Sequence, residues 1–518
     1  MKGQHSRPRI RLRYSGLVNF SARIYSAFTG LVFTTLITRN LLPQEVGLWR
    51  LINALLVYFL LPSRIFNDWI TRYRARGIVS ASITGTLNGL FLAVSSSFVF
   101  LILSPSVIPE LRHVPPLMLV SMLSIPILTM NYVTSSSLQA IAPHMLGYGE
   151  YLFETLKVLL LYALVLSLRS CDLLIAFSSV LIAFIARISF FLILLRKELS
   201  STKFDKEVLK AWYLMSWVQL YSLLPGYIYT LDNFLVNSLA LDPKVTLGLI
   251  QVLMSVGGIA AYVTRLSEVL YSKVLSSSEI HEVAKSVEVM LKLTLMLNMP
   301  LIFGALVLSK EVLSVFGKAY ISVSPLLPLM MLFSTISAIS SLLGASLRGL
   351  ESADMESPSF RRLLKSKLTL IPTLDILGAV LYLSLLAPYL LIVKMDPFHL
   401  IMWMIVLRTL SSLLVSSVKA HLLKGAIMGL RMLRPLLNYI SSSILMVLAI
   451  LLVKTFFTSD ETLGKSLRTR EAILLIFPYL LIGLITYCLA LYALDAEFRQ
   501  LVRISFNELK DMLTRVKS

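Results

Sequence analysis

Residues 39–49 read Arg39-Asn40-Leu41-Leu42-Pro43-Gln44-Glu45-Val46-Gly47-Leu48-Trp49. A polar turn ending in proline separates two apolar runs. Each run is long enough to cross roughly 30 Å of hydrocarbon at about 1.5 Å per residue. Outward from this turn the pattern repeats, giving about fourteen such runs along the chain. Apolar residues make up 57% of the sequence, and the mean hydropathy is +0.80. A soluble chain of this composition would have to bury nearly all of itself. The expected fold is therefore an all-α polytopic membrane protein.

The formal charge of +20 could suggest a nucleic-acid partner, but its distribution points to a membrane. With the N-terminus inside, about 30 Lys and Arg fall in cytoplasmic segments against about 12 in outer ones. This predicts a multi-pass protein of the cell (plasma) membrane with both termini cytoplasmic and no nucleic-acid role. Trp49, Trp69, Trp212, Trp217 and Trp403 fall near span ends and read as an interfacial belt. The first apolar run follows Arg7, Arg9, Arg11 and Arg13 and carries no small-residue cleavage site behind it, so no cleavable signal peptide is expected. Cys171 and Cys488 are too few and too far apart for a disulfide framework or a metal site.

Basic connectors divide the chain. The expected organisation is a basic cytoplasmic tail (1–14), a six-helix lobe (15–195), a cytoplasmic linker (196–211), a second six-helix lobe (212–420), two further helices (421–494) and a cytoplasmic tail (495–518). The segment from Lys419 to Arg434 reads as the connector between spans twelve and thirteen. A short repeat crosses the central boundary. Pro43-Gln44-Glu45-Val46-Gly47-Leu48 opens span two, and Pro243-Lys244-Val245-Thr246-Leu247-Gly248-Leu249 opens span eight. Two six-span halves of equal orientation imply an axis along the membrane normal. Pro126, Pro225, Pro300 and Pro372 lie near the middle of spans, where proline removes a helix hydrogen bond and bends the axis. Pro225-Gly226 reads either as a hinge or as a static kink.

Cations interrupt the apolar runs at Arg23, Lys157, Arg187, Arg265 and Arg408. A charge near a bilayer centre costs about 2.5–3.5 kcal/mol on insertion scales. Five of them imply a cavity, a partner or an anionic ligand, so these five are the candidate substrate-binding residues. The alternative is snorkelling, in which the long side chain extends toward the headgroups; Arg64 fits that reading. Glu268 follows Arg265 by three residues and shares its helix face, as Glu154 and Lys157 do. Asp232 and Asp375 are also within spans. Glu268, Asp232 and Asp375 are candidate coupling or counter-ion residues. They either pair structurally with cations or bind a proton or Na⁺.

No phosphate loop, zinc-protease motif or nucleophile elbow is present. The chain therefore reads as neither an ATPase nor a hydrolase, and no cofactor is expected. Any energy for transport would come from an ion gradient, the membrane potential or substrate consumption.

The Arg39–Trp49 turn resembles the turn between the first two spans of polysaccharide (Wzx-type) flippases. These belong to the superfamily that includes multidrug (MATE) exporters and lipid II flippases. The usual pattern there is an Arg, a Leu-Gly-Pro-Glu turn, an aromatic, then Gly-Leu. Leu42 stands for the usual Gly, Gln44 for the Glu and Val46 for the aromatic. Asp232 resembles an Asp of span seven, and Pro300 with Phe316-Gly317-Lys318-Ala319-Tyr320 resembles the ninth span and its following turn. The resemblance implies two six-helix lobes around a central cavity with two appended helices. It implies flipping of a polyprenyl- or dolichyl-(di)phosphate-linked oligosaccharide from the cytoplasmic to the outer leaflet, and no enzyme activity. Arg265-Leu266-Ser267-Glu268 is similar to the span-eight Arg–Glu pair of lipid II flippases, and Arg23 matches a cavity arginine by position. The implied partners are the lipid-linked glycan, membrane lipids and glycosyltransferases or a polymerase of the same pathway. A multidrug or ion antiporter of the same fold, a membrane-embedded glycan-assembly enzyme and a scaffold are the competing readings.

Overall fold

The computed structural model describes residues 12–168, 172–261, 280–349, 366–423, 432–457, 469–500 and 502–503. An unpaired backbone N–H or C=O in hydrocarbon costs several kcal/mol, and a helix pairs these groups within one segment. The apolar runs accordingly form helices: α1 (Leu12–Asn40), α2 (Pro43–Arg64), α3 (Asn67–Ala75), α4 (Ser80–Val107), α5 (Glu110–His113), α6 (Pro115–Ile141), α7 (His144–Leu168), α8 (Leu173–Ser201), α9 (Lys206–Leu239), α10 (Pro243–Ala261), α11 (Ile280–Ser314), α12 (Leu327–Gly349), α13 (Lys367–Ile392), α14 (Pro397–Leu422), α15 (Leu433–Phe457) and α16 (Thr469–Leu494). A 3-10 segment, Lys318–Leu326, leads into α12. No strand occurs among the described residues. Among the described residues, eleven spans are long and apolar enough to cross a membrane. The long helices α1, α7 and α9 are not among these eleven.

The chain divides into two compact units, Met1–Gln251 with Leu390–Lys394, and Val252–Tyr389 with Met395–Ser518. In the first unit α1 packs on α7, α7 on α8, α8 on α6, α6 on α4, and α2 on α4, α6 and α9. Trp69 and Trp212 do not sit in an interfacial belt. They pack with Phe66, Ile70, Ala81, Val133 and Val208 in a core, and Trp212 is fully buried. The short amphipathic helix α3 is what brings Trp69 inward. The 196–211 segment is mostly helix, since α8 runs to Ser201 and α9 starts at Lys206.

The repeated turns meet. Proline opens both α2 and α10, at the position where its missing N–H leaves no helix bond unmade. Glu45 caps α2 by accepting the Leu42 N–H at 2.8 Å. A Cβ at Gly47 would collide with the Lys244 carbonyl, and one at Gly248 would collide with the Pro43 carbonyl. Each glycine thus clears space for the other repeat's turn. Glu110 on α5 adds an ion pair with Lys244 at this crossing. Burial pushes the Glu110 carboxyl up, but the hydrogen bond and charge of Lys244 outweigh it and hold the group below the usual carboxylate range.

In the second unit α15 and α16 are fastened to α11 at three levels. Lys292 bonds Glu497 at 2.6 Å and Glu288 at 2.7 Å near one end. Lys454 pairs with the fully buried Glu311 near the other. Between them, Pro300 lacks the N–H that would bond the Met296 carbonyl, and the Tyr487 hydroxyl donates to that carbonyl at 2.6 Å. The Lys419–Arg434 connector is corrected: α14 extends to Leu422, and Lys419 is buried inside it.

Two outcomes follow for the crossing. Gly47→Ala or Gly248→Ala should force the two backbones apart and destabilise the protein by on the order of 1–3 kcal/mol, read as a lowered midpoint in detergent thermal unfolding. Glu110→Gln should cost under about 1 kcal/mol at neutral pH, because the pair is partly exposed. A lowered carboxyl pKa stabilises above the unfolded value of about 4.3 and is lost as pH falls through the folded one. The wild-type and Glu110→Gln unfolding midpoints should therefore converge at acid pH.

Candidate functional site

One turn beyond the glycine crossing, α2, α9 and α10 line an open pocket of about 240 Å³, with Trp49, Arg50, Asn53, Ala54, Val57, Thr230, Asn233 and Gln251 on its walls. Arg50, Asn53, Ala54 and Val57 recur at helical spacing and so share one face of α2. Arg50 Nε donates to Asn233 Oδ1 at 2.7 Å, and Arg50 Nη1 donates to Gln251 Oε1 at 3.1 Å. Arg50 follows Gly47 by three residues, as Gln251 follows Gly248. Repeat-equivalent side chains therefore meet, Arg50 with Gln251.

Below this cavity a polar seam continues along α2 and α9. Tyr58 donates from its hydroxyl to the Tyr227 carbonyl at 2.6 Å. Asp232, next to Asn233 in sequence, is buried and within electrostatic range of Tyr58. Arg64 reaches Tyr227 and stands 5.2 Å from the centre of the Tyr132 ring. Its guanidinium joins this seam. Pro225 lies within a continuous α9, and a Cβ at Gly226 would meet open space.

Three of the five predicted cations converge on α1, α7 and α8. Lys157 pairs with Glu154 at 2.8 Å. Glu154 also accepts from Thr29 at 2.6 Å and Ser26 at 3.1 Å. Arg187 pairs with Glu150 at 2.8 Å. Lys157 and Arg187 both face the Phe153 ring, at 5.0 Å and 5.9 Å from its centroid. Arg23 is exposed on α1 and lies within electrostatic range of Arg187. Two of the three cations thus already hold carboxylates, which offsets the cost of burying them.

Arg408 and Asp375 belong to the second unit. Arg408 stands 5.2 Å from the Tyr382 ring centroid. Asp375 bonds Lys419 at 2.7 Å. Arg265 and Glu268 lie outside the described residues. Sequence reasoning missed Arg50, Glu150 and Lys419. Arg50 sits close enough to the span end to be counted with the outer basic residues; its periodicity with Asn53, Ala54 and Val57 was the available signal. Glu150 shares the α7 stripe of Glu154 and Lys157.

If Lys157 serves Glu154, Lys157→Met should destabilise by about 3–5 kcal/mol, because a buried carboxylate loses its partner. Adding Glu154→Gln should restore most of the loss. Thermal unfolding of the two variants checks this.

Sequence comparison finds no matching family model and no matching curated protein. Solved structures share the fold. A lipid II flippase MurJ in the inward closed conformation matches with TM-score 0.63 and 14% identity, over 94% of this chain and 100% of that one. An inward-facing multidrug resistance MATE family transporter of the MOP superfamily matches with TM-score 0.59 and 11% identity, over 79% of this chain and 98% of that one. A MATE structure in the straight conformation matches with TM-score 0.55 and 11% identity, over 80% and 96%. The chain is a multi-pass membrane protein, all-α among the described residues, that shares its fold with these solved structures.

Proposed function

We propose that this protein flips a polyprenyl- or dolichyl-(di)phosphate-linked oligosaccharide from the cytoplasmic to the outer leaflet of the plasma membrane, with both termini cytoplasmic. The observation that carries this reading is Arg50, a guanidinium set by two amide oxygens on the wall of an open pocket of mixed polar and apolar lining. A lipid phosphate and its glycan cross hydrocarbon only at the cost of several kcal/mol per unpaired polar group. A guanidinium offers phosphate planar, charge-assisted and bidentate hydrogen bonds. The likeness to a lipid II flippase over 94% of the chain supports the same reading.

In this mechanism Arg50 and the exposed Arg23 contact the phosphates, with Arg265 and Arg408 as further contacts. The lipid tail stays in the bilayer. Alternating access separates the α2 and α10 starts at the Gly47–Gly248 crossing, and the open backbone at Gly226 next to Pro225 absorbs bending of α9. Asp232, buried on α9, would couple this movement to an ion. The lobes would be 15–195 and 212–420, and glycosyltransferases or a polymerase would supply and consume the glycan. Export of cationic drugs is the poorer reading, since an arginine on the cavity wall repels such cargo.

The test is translocation of a fluorescent polyprenyl-diphosphate oligosaccharide in liposomes. Arg50→Gln should slow it about tenfold or more, as loss of a charge-assisted bond of about 1.5–3 kcal/mol implies. Arg23→Gln, Arg265→Gln and Arg408→Gln should each slow it less. Absence of translocation by the wild type, or unchanged rates in all four variants, would sink the proposal.

A further inference from the structure

Lys419 lies three residues before the end of α14. A lysine one turn from the end of a spanning helix ordinarily extends toward the headgroups. This one runs the other way. Its Nζ donates to Asp375 Oδ1 at 2.7 Å, to Ser340 Oγ at 3.2 Å and to the Ser340 carbonyl at 3.4 Å. Asp375 is eight residues from the start of α13, and Ser340 nine from the end of α12. At about 1.5 Å per residue the acceptors lie roughly 12–14 Å from those helix ends, against about 5 Å for the Lys419 backbone. The lysine side chain is 3% exposed.

The surroundings are built for this direction. Gly344 leaves the space, since a Cβ there would stand 3.3 Å from Nζ. Leu343, Leu347, Ile371 and Leu423 pack in one apolar cluster, and Ile371 stands beside the same Gly344 position. Among the described residues, Asp375 and Arg348 are the charged groups that act on Lys419. The acceptors are a carboxylate, a hydroxyl and a carbonyl. Oxygen-only sets of this kind are the ligands of hard cations.

We infer that Lys419 is a built-in counter-cation: its ammonium occupies an oxygen site between α12, α13 and α14 that would otherwise take a soluble monovalent metal ion. The lysine holds the three helices together by a charge that cannot diffuse away. Asp375 therefore needs no sodium ion. The inference goes beyond the flipping reading and is independent of it, because its test reads stability and not translocation.

The full-length protein is unfolded thermally in sodium chloride and in equimolar choline chloride. The wild type should show the same midpoint in both. Lys419→Met should be less stable and should recover several degrees in sodium alone. Asp375→Asn combined with Lys419→Met should lose that sodium response, since the carboxylate is gone. If Lys419→Met does not accumulate, Lys419→Gln takes its place in the same comparison. A sodium-specific rise in the wild type that Asp375→Asn abolishes would overturn the inference, because a metal ion would then bind beside the lysine. A lysine variant that is destabilised, rescued by Asp375→Asn and indifferent to sodium would overturn it too, leaving an ordinary ion pair.

Discussion

The first unit depends on a backbone-to-backbone contact that only glycine permits. Gly47 rests on the Lys244 carbonyl and Gly248 on that of Pro43. Any side chain at either position would separate α2 from α10. The same register that brings the glycines together sets Arg50 against Gln251 one turn later. Helix crossing and cavity chemistry are therefore one geometric fact: the depth of the crossing fixes where the guanidinium stands.

The cost of charge in hydrocarbon organises the rest. Lys157 with Glu154, Arg187 with Glu150, Lys419 with Asp375 and Lys454 with Glu311 are each a cation and a carboxylate supplied from within one unit. Two of these pairs also lean on aromatic faces, which adds a cation–π contribution. Such pairs are weak evidence for stability, since desolvation cancels much of the attraction. Their effect is on specificity. A helix that slipped along its neighbour would strand a charge.

Hydropathy alone makes most of the helices legible, because a run of leucines has few alternatives in a bilayer. The crossing was partly legible too, as a repeat of proline and glycine two hundred residues apart. The site was less so. Arg50 and Lys419 sit near helix ends, where a cation is common and uninformative. Only the direction of the side chain separates them from ordinary boundary residues, and direction is set by neighbours distant in sequence. Trp212 fails for the same reason: its position suits an interface, but α3 covers it. The carboxylate partner of Lys157 was visible because it is local.

The hydroxyl of Tyr487 and the carbonyl of Met296 are 191 residues apart in the chain. Pro300 leaves that carbonyl without its helical donor as soon as α11 is made. Ribosomal synthesis runs from the N-terminus, so the donor emerges only when α16 is nearly complete. Until then α11 must keep its exposed oxygen solvated by lipid headgroups, water or the insertion machinery. Final seating of the ninth long helix in the membrane thus waits for a donor made 191 residues later, which ties the folding of α11 to the arrival of α16.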